Sequence, residues 1–307
     1  MPRQFHNQPE RSHQHPFLVD LWDEVRRSTS GEVGVSVHAL NGGVAGSDPR
    51  VLEMLAAGEI EFATMMGPIL GRVVPAAEIQ GIPFAFRNGA HAHAALDGPL
   101  GEHLRNECLA KGIYLVPGGA LENGLRHICS VRRAVHAPGD LAGYRMRVPA
   151  GRVLAELFEA LGATPVTVNI DGLRAALEAG TVDGHENPLA IVEVNGLQAV
   201  SREIAMTGHA WSGFNLVANL GYWRSLSEHA RDAIHRAART HVARQRRYAA
   251  ELNSSLEQRL RDDGIAIRSL SPAPFRACIG RAVYARWKER CGTEAWRLLG
   301  EAGGRLD

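Results

Sequence analysis

Pro138-Gly-Asp-Leu-Ala-Gly-Tyr-Arg-Met-Arg-Val-Pro149 is the stretch that decides the fold. Within it Tyr144, Met146 and Val148 alternate with Arg145 and Arg147, the period-two pattern of a strand with one apolar face. The period then changes. Leu154, Leu157, Phe158 and Leu161 form a helical stripe closed by Gly162. A shorter helix carrying Leu173, Ala176 and Leu177 closes at Gly180, and Val182 begins another strand. Strands and glycine-stopped helices in alternation describe an α/β fold.

The same grammar runs through the preceding half. Leu18, Leu21, Trp22 and Val25 mark one face of a first helix, after a first strand at Arg3 to His6. Val33, Val35 and Val37 alternate as a strand. Asp48-Pro49 reads as an N-cap followed by proline at the first helical position. That helix carries Leu52 and Leu55 and stops at Gly58, and Ile60, Phe62 and Thr64 form the next strand. Leu100, Leu104 and Cys108 share a helical face ended by Gly112, before a strand from Ile113 to Val116. Leu55-Ala-Ala-Gly58-Glu-Ile60-Glu61 echoes Leu177-Glu-Ala-Gly180-Thr-Val182-Asp183, which suggests two similar α/β halves. Further on, Ser225 and Glu228 have capping-box spacing. Apolar positions from Ala230 to Leu260 then continue without glycine or proline until Gly264. Such a helix is ~50 Å long, more than one ordinary domain, and could lie across two as a strut.

Composition bounds the function. The chain has 307 residues, enough for two domains, and 45% hydrophobic residues, enough for two cores. Its 34 Lys and Arg balance 33 Asp and Glu, so no global field favours nucleic acid or an anionic membrane. Cys108, Cys129, Cys278 and Cys291 form no CxxC pair and read as buried free thiols. No run approaches a membrane span, and the polar start MPRQFHNQPE is no leader peptide. No phosphate-binding glycine motif or nucleophile elbow occurs. His13-Gln-His15 and His91-Ala-His93 lack a carboxylate or cysteine at ligand spacing, so no metal and no cofactor is expected.

What remains is a pattern for binding an anion. Ligands of open α/β sheets sit beyond the carboxyl ends of the strands. Arg147 stands at such an end, directed away from the apolar face of its strand. A guanidinium matches a carboxylate through two parallel hydrogen bonds. Position alone leaves two readings open: a ligand anchor, or a surface arginine on the solvent face of an edge strand. Asn187-Pro188, after the Asp183-Gly-His-Glu186 turn, marks another strand exit, where ordinary turn chemistry is the simpler account.

The stretch Pro138–Pro149 resembles the hallmark of the DctP family, the substrate-binding proteins of TRAP transporters. Ala176-Leu-Glu-Ala-Gly-Thr-Val-Asp-Gly-His-Glu-Asn-Pro188 is similar to that family's second hallmark, and Asn123-Gly-Leu-Arg-His127, Gly81-Ile-Pro-Phe-Ala-Phe-Arg87, Leu96-Asp-Gly-Pro99, Thr207-Gly-His209 and Tyr222-Trp-Arg-Ser-Leu226 add further matches in order. The resemblance implies a periplasmic-binding-protein-like fold: two α/β domains around a ligand cleft, joined by crossing strands and one long domain-spanning helix. Domain I is expected at residues 1–123 plus 213–252, domain II at 124–212 plus 253–307, and the helix at about 226–262. It implies a monomer without catalysis that works in the periplasm, binds a small carboxylate ligand, closes, and delivers it to the TRAP membrane permease subunits. By position, Arg147 matches the arginine that pairs with the ligand carboxylate, Asn187 the asparagine beside it, and Arg126 a second arginine. Ile170 stands where the family commonly has an aromatic residue. Met66, Trp211, Phe214 and Asn7 complete the implied site.

Met66, Ile170, Trp211 and Phe214 together suggest an apolar far wall, and hence a compact hydroxy, keto or aromatic carboxylate. Two other readings compete. A ligand-sensing module would pass its closed state to a receptor. An enzyme on a similar scaffold would need a nucleophile or cofactor motif. A helix-turn-helix regulator is excluded, since no basic DNA-binding domain precedes the α/β pattern.

Overall fold

The computed structural model describes residues 1–304. Residues 305–307, the end of the range expected for domain II, lie outside the described residues. The strands are β1 (Arg3–Phe5), β2 (Ser36–His38), β3 (Phe62–Met66), β4 (Ile113–Ser130), β5 (Arg145–Val148), β6 (Thr164–Thr167), β7 (Gly184–Asn187), β8 (Glu203–Asn219) and β9 (Ala266–Ser269). The helices are α1 (His15–Ser28), α2 (Ser47–Ala57), α3 (Gly67–Leu70), α4 (Gly89–Asp97), α5 (Pro99–Leu109), α6 (Arg152–Ala160), α7 (Ile170–Glu178), α8 (Leu189–Val194), α9 (Leu220–Ser225), α10 (Glu228–Asp262), α11 (Pro272–Ala277), α12 (Arg281–Cys291) and α13 (Thr293–Glu301).

The sheet order is β2-β1-β3-β8-β4-β7-β5-β6, with β9 on β8. Parallel strands β2-β1-β3 form one half and β7-β5-β6 the other. Between them run β4 and β8, 18 and 17 residues long and antiparallel to each other. They serve both halves: β8 pairs β3 near Phe214 to Ala218, and β4 pairs β7 near His127 to Ser130. The carboxyl ends of the parallel strands in the two halves therefore face a common cleft. The pairing of β4 with β8 slips between Glu122 and Gly124, and Gly124 takes φ 114°, a conformation that disfavours any side chain.

The expected strand at Ile113 to Val116 is thus the beginning of a crossing strand, because Leu121, Ile128 and Cys129 continue its buried positions well past Pro117. The long helix is α10, 35 residues, packed on α1 and β4 of one half and on α8 and β9 of the other. Its cap is Ser227, whose hydroxyl accepts from the Ala230 amide, whereas Ser225 belongs to α9. The boundary at 253–307 does not follow the packing of the last helices. Helix α12 lies on the 3-10 segment Pro75–Gly81 as well as on α6, and α13 lies on α5. Arg290 joins Glu78 (Nε to Oε2, 2.5 Å) to Glu156 (Nη2 to Oε2, 2.8 Å), so α12 ties the two halves together.

Smaller departures have local causes. The strand expected at Val33–Val37 forms only at Ser36–His38, where β1 offers a partner. The strand expected from Val182 starts at Gly184, after Asp183 has spent its carboxylate on the Arg145 backbone and guanidinium. Helix α2 begins at Ser47 behind Gly46, so Asp48 is not its cap. Gly58 ends α2 in the left-handed conformation as read from sequence. Cys108, Cys129 and Cys291 are buried and free, while Cys278 is free and exposed.

Candidate functional site

A narrow cavity of about 20 Å³ lies between the halves, at the carboxyl ends of β1, β3, β5 and β7. Arg147, Asn187, Arg126, Ile170, Met66, Phe214 and Asn7 all line it. So do Gln8, Asp48, Asn123 and Asn169, which the sequence reading did not single out.

Arg147 sits on an interior strand, paired on one side to Val166 of β6 and on the other to His185 of β7. The edge-strand reading therefore falls. Met146 and Val148 enter the core on the opposite face. The Arg147 side chain is 2% exposed. Its Nε donates to the Val168 carbonyl at 2.7 Å. Among the described residues neither terminal nitrogen has a protein hydrogen-bond partner, and no carboxylate pairs with it. Burial pulls its pKa down to about 10, against the more distant pull of Glu186, Asp48 and Asp171. The protein thus holds a desolvated cation with its fork of donors facing a cavity.

Arg126 lines the same cavity, but its charge is paired within the protein. Its Nε and Nη2 engage the Glu186 carboxylate, Nη1 donates to Ser212 Oγ at 3.1 Å, and Nη2 reaches Asn187 Oδ1 at 3.3 Å. His209 Nε2 stands 3.1 Å from Glu186 Oε2. Burial alone would raise the Glu186 carboxyl, but Arg126 and His209 hold it down to about 2. Arg126 is accordingly satisfied inside the protein. Its contact also orients Asn187: the side-chain oxygen faces Arg126, and Nδ2 faces His185 Nδ1 at 3.0 Å. Burial, then the nearby Arg147, lowers His185 to about 3, so its ring is neutral and Nδ1 can accept. One Nδ2 proton of Asn187 is left for another acceptor.

The other half supplies a carboxylate on a pedestal of amides. Asp48, in the first turn of α2, accepts from Asn7 Nδ2 (2.6 Å) and Asn41 Nδ2 (2.8 Å). Burial raises its pKa, while these two amides and Arg147 oppose the rise. Leu40 and Asn41 adopt positive φ, which turns the Asn41 amide towards Asp48. Asp48 was visible in the sequence as a helix-start residue, but only the left-handed turn before α2 reveals that its carboxylate is claimed by amides and directed at the cleft.

Trp211 is the exception among the expected site residues. It pairs across β4 with Leu125 on the far face of the crossing strands, packs against Phe86 and His93, and donates Nε1 to Glu122 Oε1 at 3.0 Å. Strand alternation explains the correction: positions 211 and 214 differ by an odd number, so Trp211 and Phe214 face opposite sides. The wall is therefore apolar at Met66, Pro149, Ala150, Ile170, Ile191 and Phe214, and polar at Asn7, Gln8, Asp48, Asn123 and Asn169. The histidine pairs lie elsewhere: His15 meets His6, His91 reaches the Ala302 carbonyl, and His93 faces Glu122. Among the described residues no cluster of metal-binding side chains occurs, and no helix is long and apolar enough to cross a membrane.

Comparison with known proteins adds a second line. The model of the bacterial extracellular solute-binding proteins, family 7 (DctP), matches residues 5–289. A solute-binding protein of Verminephrobacter eiseniae is 29% identical over 294 residues, 95% of this chain and 86% of the relative. The fold matches a TRAP periplasmic solute-binding protein from Xanthobacter autotrophicus Py2, with bound β-D-galacturonate, at a TM-score of 0.92 and 20% identity, over 99% of this chain and 100% of that one. It also matches one from Polaromonas sp. JS666, bound to D-erythronate, at a TM-score of 0.90 and 25% identity, over 100% and 99% of the two chains.

Proposed function

The chain belongs to family 7 of the bacterial extracellular solute-binding proteins, the DctP family, and from that premise we propose that its cleft captures a small hydroxylated organic acid and closes on it. The acid is then handed to the membrane permease of a TRAP transporter, and the binding protein acts as a monomer in the periplasm without altering its ligand. The observation that carries this reading is the buried Arg147 guanidinium with neither terminal nitrogen bonded inside the protein. A buried cation is costly until a carboxylate joins it. A ligand carboxylate would take the two parallel bonds from Arg147 and a third from Asn187 Nδ2.

Asp48 extends the proposal to the rest of the ligand. Both Asp48 oxygens already accept from amides, and the lone pairs left on them favour a partner rich in hydroxyl donors. This favours a hydroxy acid over the keto and aromatic acids that an apolar wall would suit. D-Erythronate, the ligand of the Polaromonas neighbour, is an acid of that chemistry. We place the boundaries between the lobes at 123/124 and 212/213, where the β4–β8 register slips and Asn123 Nδ2 donates to Ser212 Oγ at 3.0 Å.

A thermal-shift panel of D-erythronate, D-galacturonate, pyruvate and benzoate tests the function. A true ligand at a hundred times its Kd adds about 2.7 kcal/mol of stability. The hydroxy acids should raise Tm and be recovered unchanged, and Asp48→Asn should weaken them more than pyruvate. A panel without any stabilising acid, or an acid returned chemically altered, contradicts the reading.

A further inference from the structure

Away from the carboxylate anchor, three side chains reach across the mouth of the cleft. Arg11, in the loop after β1, donates from Nε (3.1 Å) and Nη2 (2.8 Å) to the carbonyl of Val194, the last residue of α8. Beside it Asn195 Nδ2 donates to Gln8 Oε1 at 3.1 Å. At the other rim Asn169 Nδ2 donates to the Gly46 carbonyl at 3.2 Å. Arg11, Gln8 and Gly46 belong to the first half, and Val194, Asn195 and Asn169 to the second.

The Arg11 contact has the most distinctive chemistry. The last carbonyls of a helix have no intrahelical donor and carry partial negative charge, which a cation stabilises. Among the described residues Arg11 makes no other hydrogen bond and pairs with no carboxylate. Its guanidinium is thus committed to a helix end on the opposite half. Helix α8 follows directly from Asn187-Pro188, so the segment gripped by Arg11 at one end carries the carboxylate-facing Asn187 at the other. Arg11 does not line the cavity, which leaves the ligand untouched.

We propose that Arg11 is the latch of the cleft, a positioning residue that engages the end of α8 only when the halves close and that sets how long the ligand stays. The proposal rests on the clamp reading above. A contact made only in the closed state cannot help the open protein capture ligand, but its loss makes reopening easier. The dissociation rate should therefore change while the association rate does not.

Stopped-flow tryptophan fluorescence with D-erythronate and D-galacturonate separates the two rates. Losing a forked, charge-assisted pair of hydrogen bonds should speed release by about tenfold in Arg11→Ala, with association within about twofold of wild type. Arg11→Lys, which keeps the charge without the fork, should restore part of the residence time. The Tm of the ligand-free variant should equal that of wild type, which a merely structural role would lower. Wild-type release kinetics in Arg11→Ala, or loss confined to association and ligand-free Tm, overturns the latch and leaves the clamp standing. A wild-type protein that binds neither acid nor any other member of the panel defeats the clamp and the latch with it.

Discussion

Arg126 and Arg147 line one cavity, yet methionine in their places should have opposite consequences for the ligand-free protein. Arg126→Met removes the cation that holds the fully buried Glu186 carboxylate, leaving His209 as its nearest partner. Removing one member of a buried ion pair costs about 3–5 kcal/mol. In a chain of this size that lowers Tm by roughly 10 °C. Arg147→Met removes a single protein hydrogen bond, to the Val168 carbonyl, worth about 0.5–1.5 kcal/mol. It also removes a buried charge whose pKa is depressed to about 10. A depressed cation pKa means that folding disfavours the charged form, and at neutral pH the arginine is charged in both states, so the penalty stands in full. The two effects oppose each other, and Tm should stay within about 3 °C of wild type or rise. Thermal and urea unfolding of the three ligand-free proteins measures the contrast. Equal losses in both variants would show that Arg147 is compensated within the protein and is not held in reserve for a ligand.

Two further outcomes follow from the same geometry. A Cβ on Gly151, at the start of α6, would come within 2.7 Å of Pro68 Cβ on the other half, so Gly151→Ala should impede full closure; solution scattering should show less narrowing with D-erythronate than in wild type, with ligand-free Tm nearly unchanged, and equal narrowing contradicts this. The Glu186 carboxyl, held at about 2 by Arg126 and His209 against burial, contributes stability that is present above the ordinary carboxyl range and lost as pH falls through about 2; urea unfolding between pH 5 and pH 2 should show a fall that Glu186→Gln reduces, and identical pH profiles would refute the assignment.

Local signals were legible in the sequence where a single residue type meets a single physical demand. Gly58, Gly162 and Gly180 ended their helices because the left-handed turn there tolerates glycine best. The uninterrupted apolar spacing from Ala230 to Leu260 revealed α10, although the choice between Ser225 and Ser227 as cap depended on how α9 ends. Arg147 at a strand end was ambiguous because one sequence cannot show which strands flank it; β6 and β7 decide the matter. Trp211 was misplaced although the alternation that excludes it was present in the sequence, since the resemblance suggested a crossing segment without its register. Asp48 and Asn169 were missed because their roles arise from contacts with distant residues: the amides of Asn7 and Asn41 for the first, and the Gly46 carbonyl across the cleft for the second. Tertiary partners of that kind leave no mark on local periodicity.

Isothermal titration of wild type and Arg147→Met with the strongest-binding acid of the panel reads out whether Arg147 holds the carboxylate of the ligand. Losing one partner of a buried, hydrogen-bonded charge pair costs about 2–5 kcal/mol, a fall in affinity of roughly thirtyfold to several thousandfold. A loss in that range with the fold intact is expected, and affinity within a few-fold of wild type would rule out Arg147 as the carboxylate anchor.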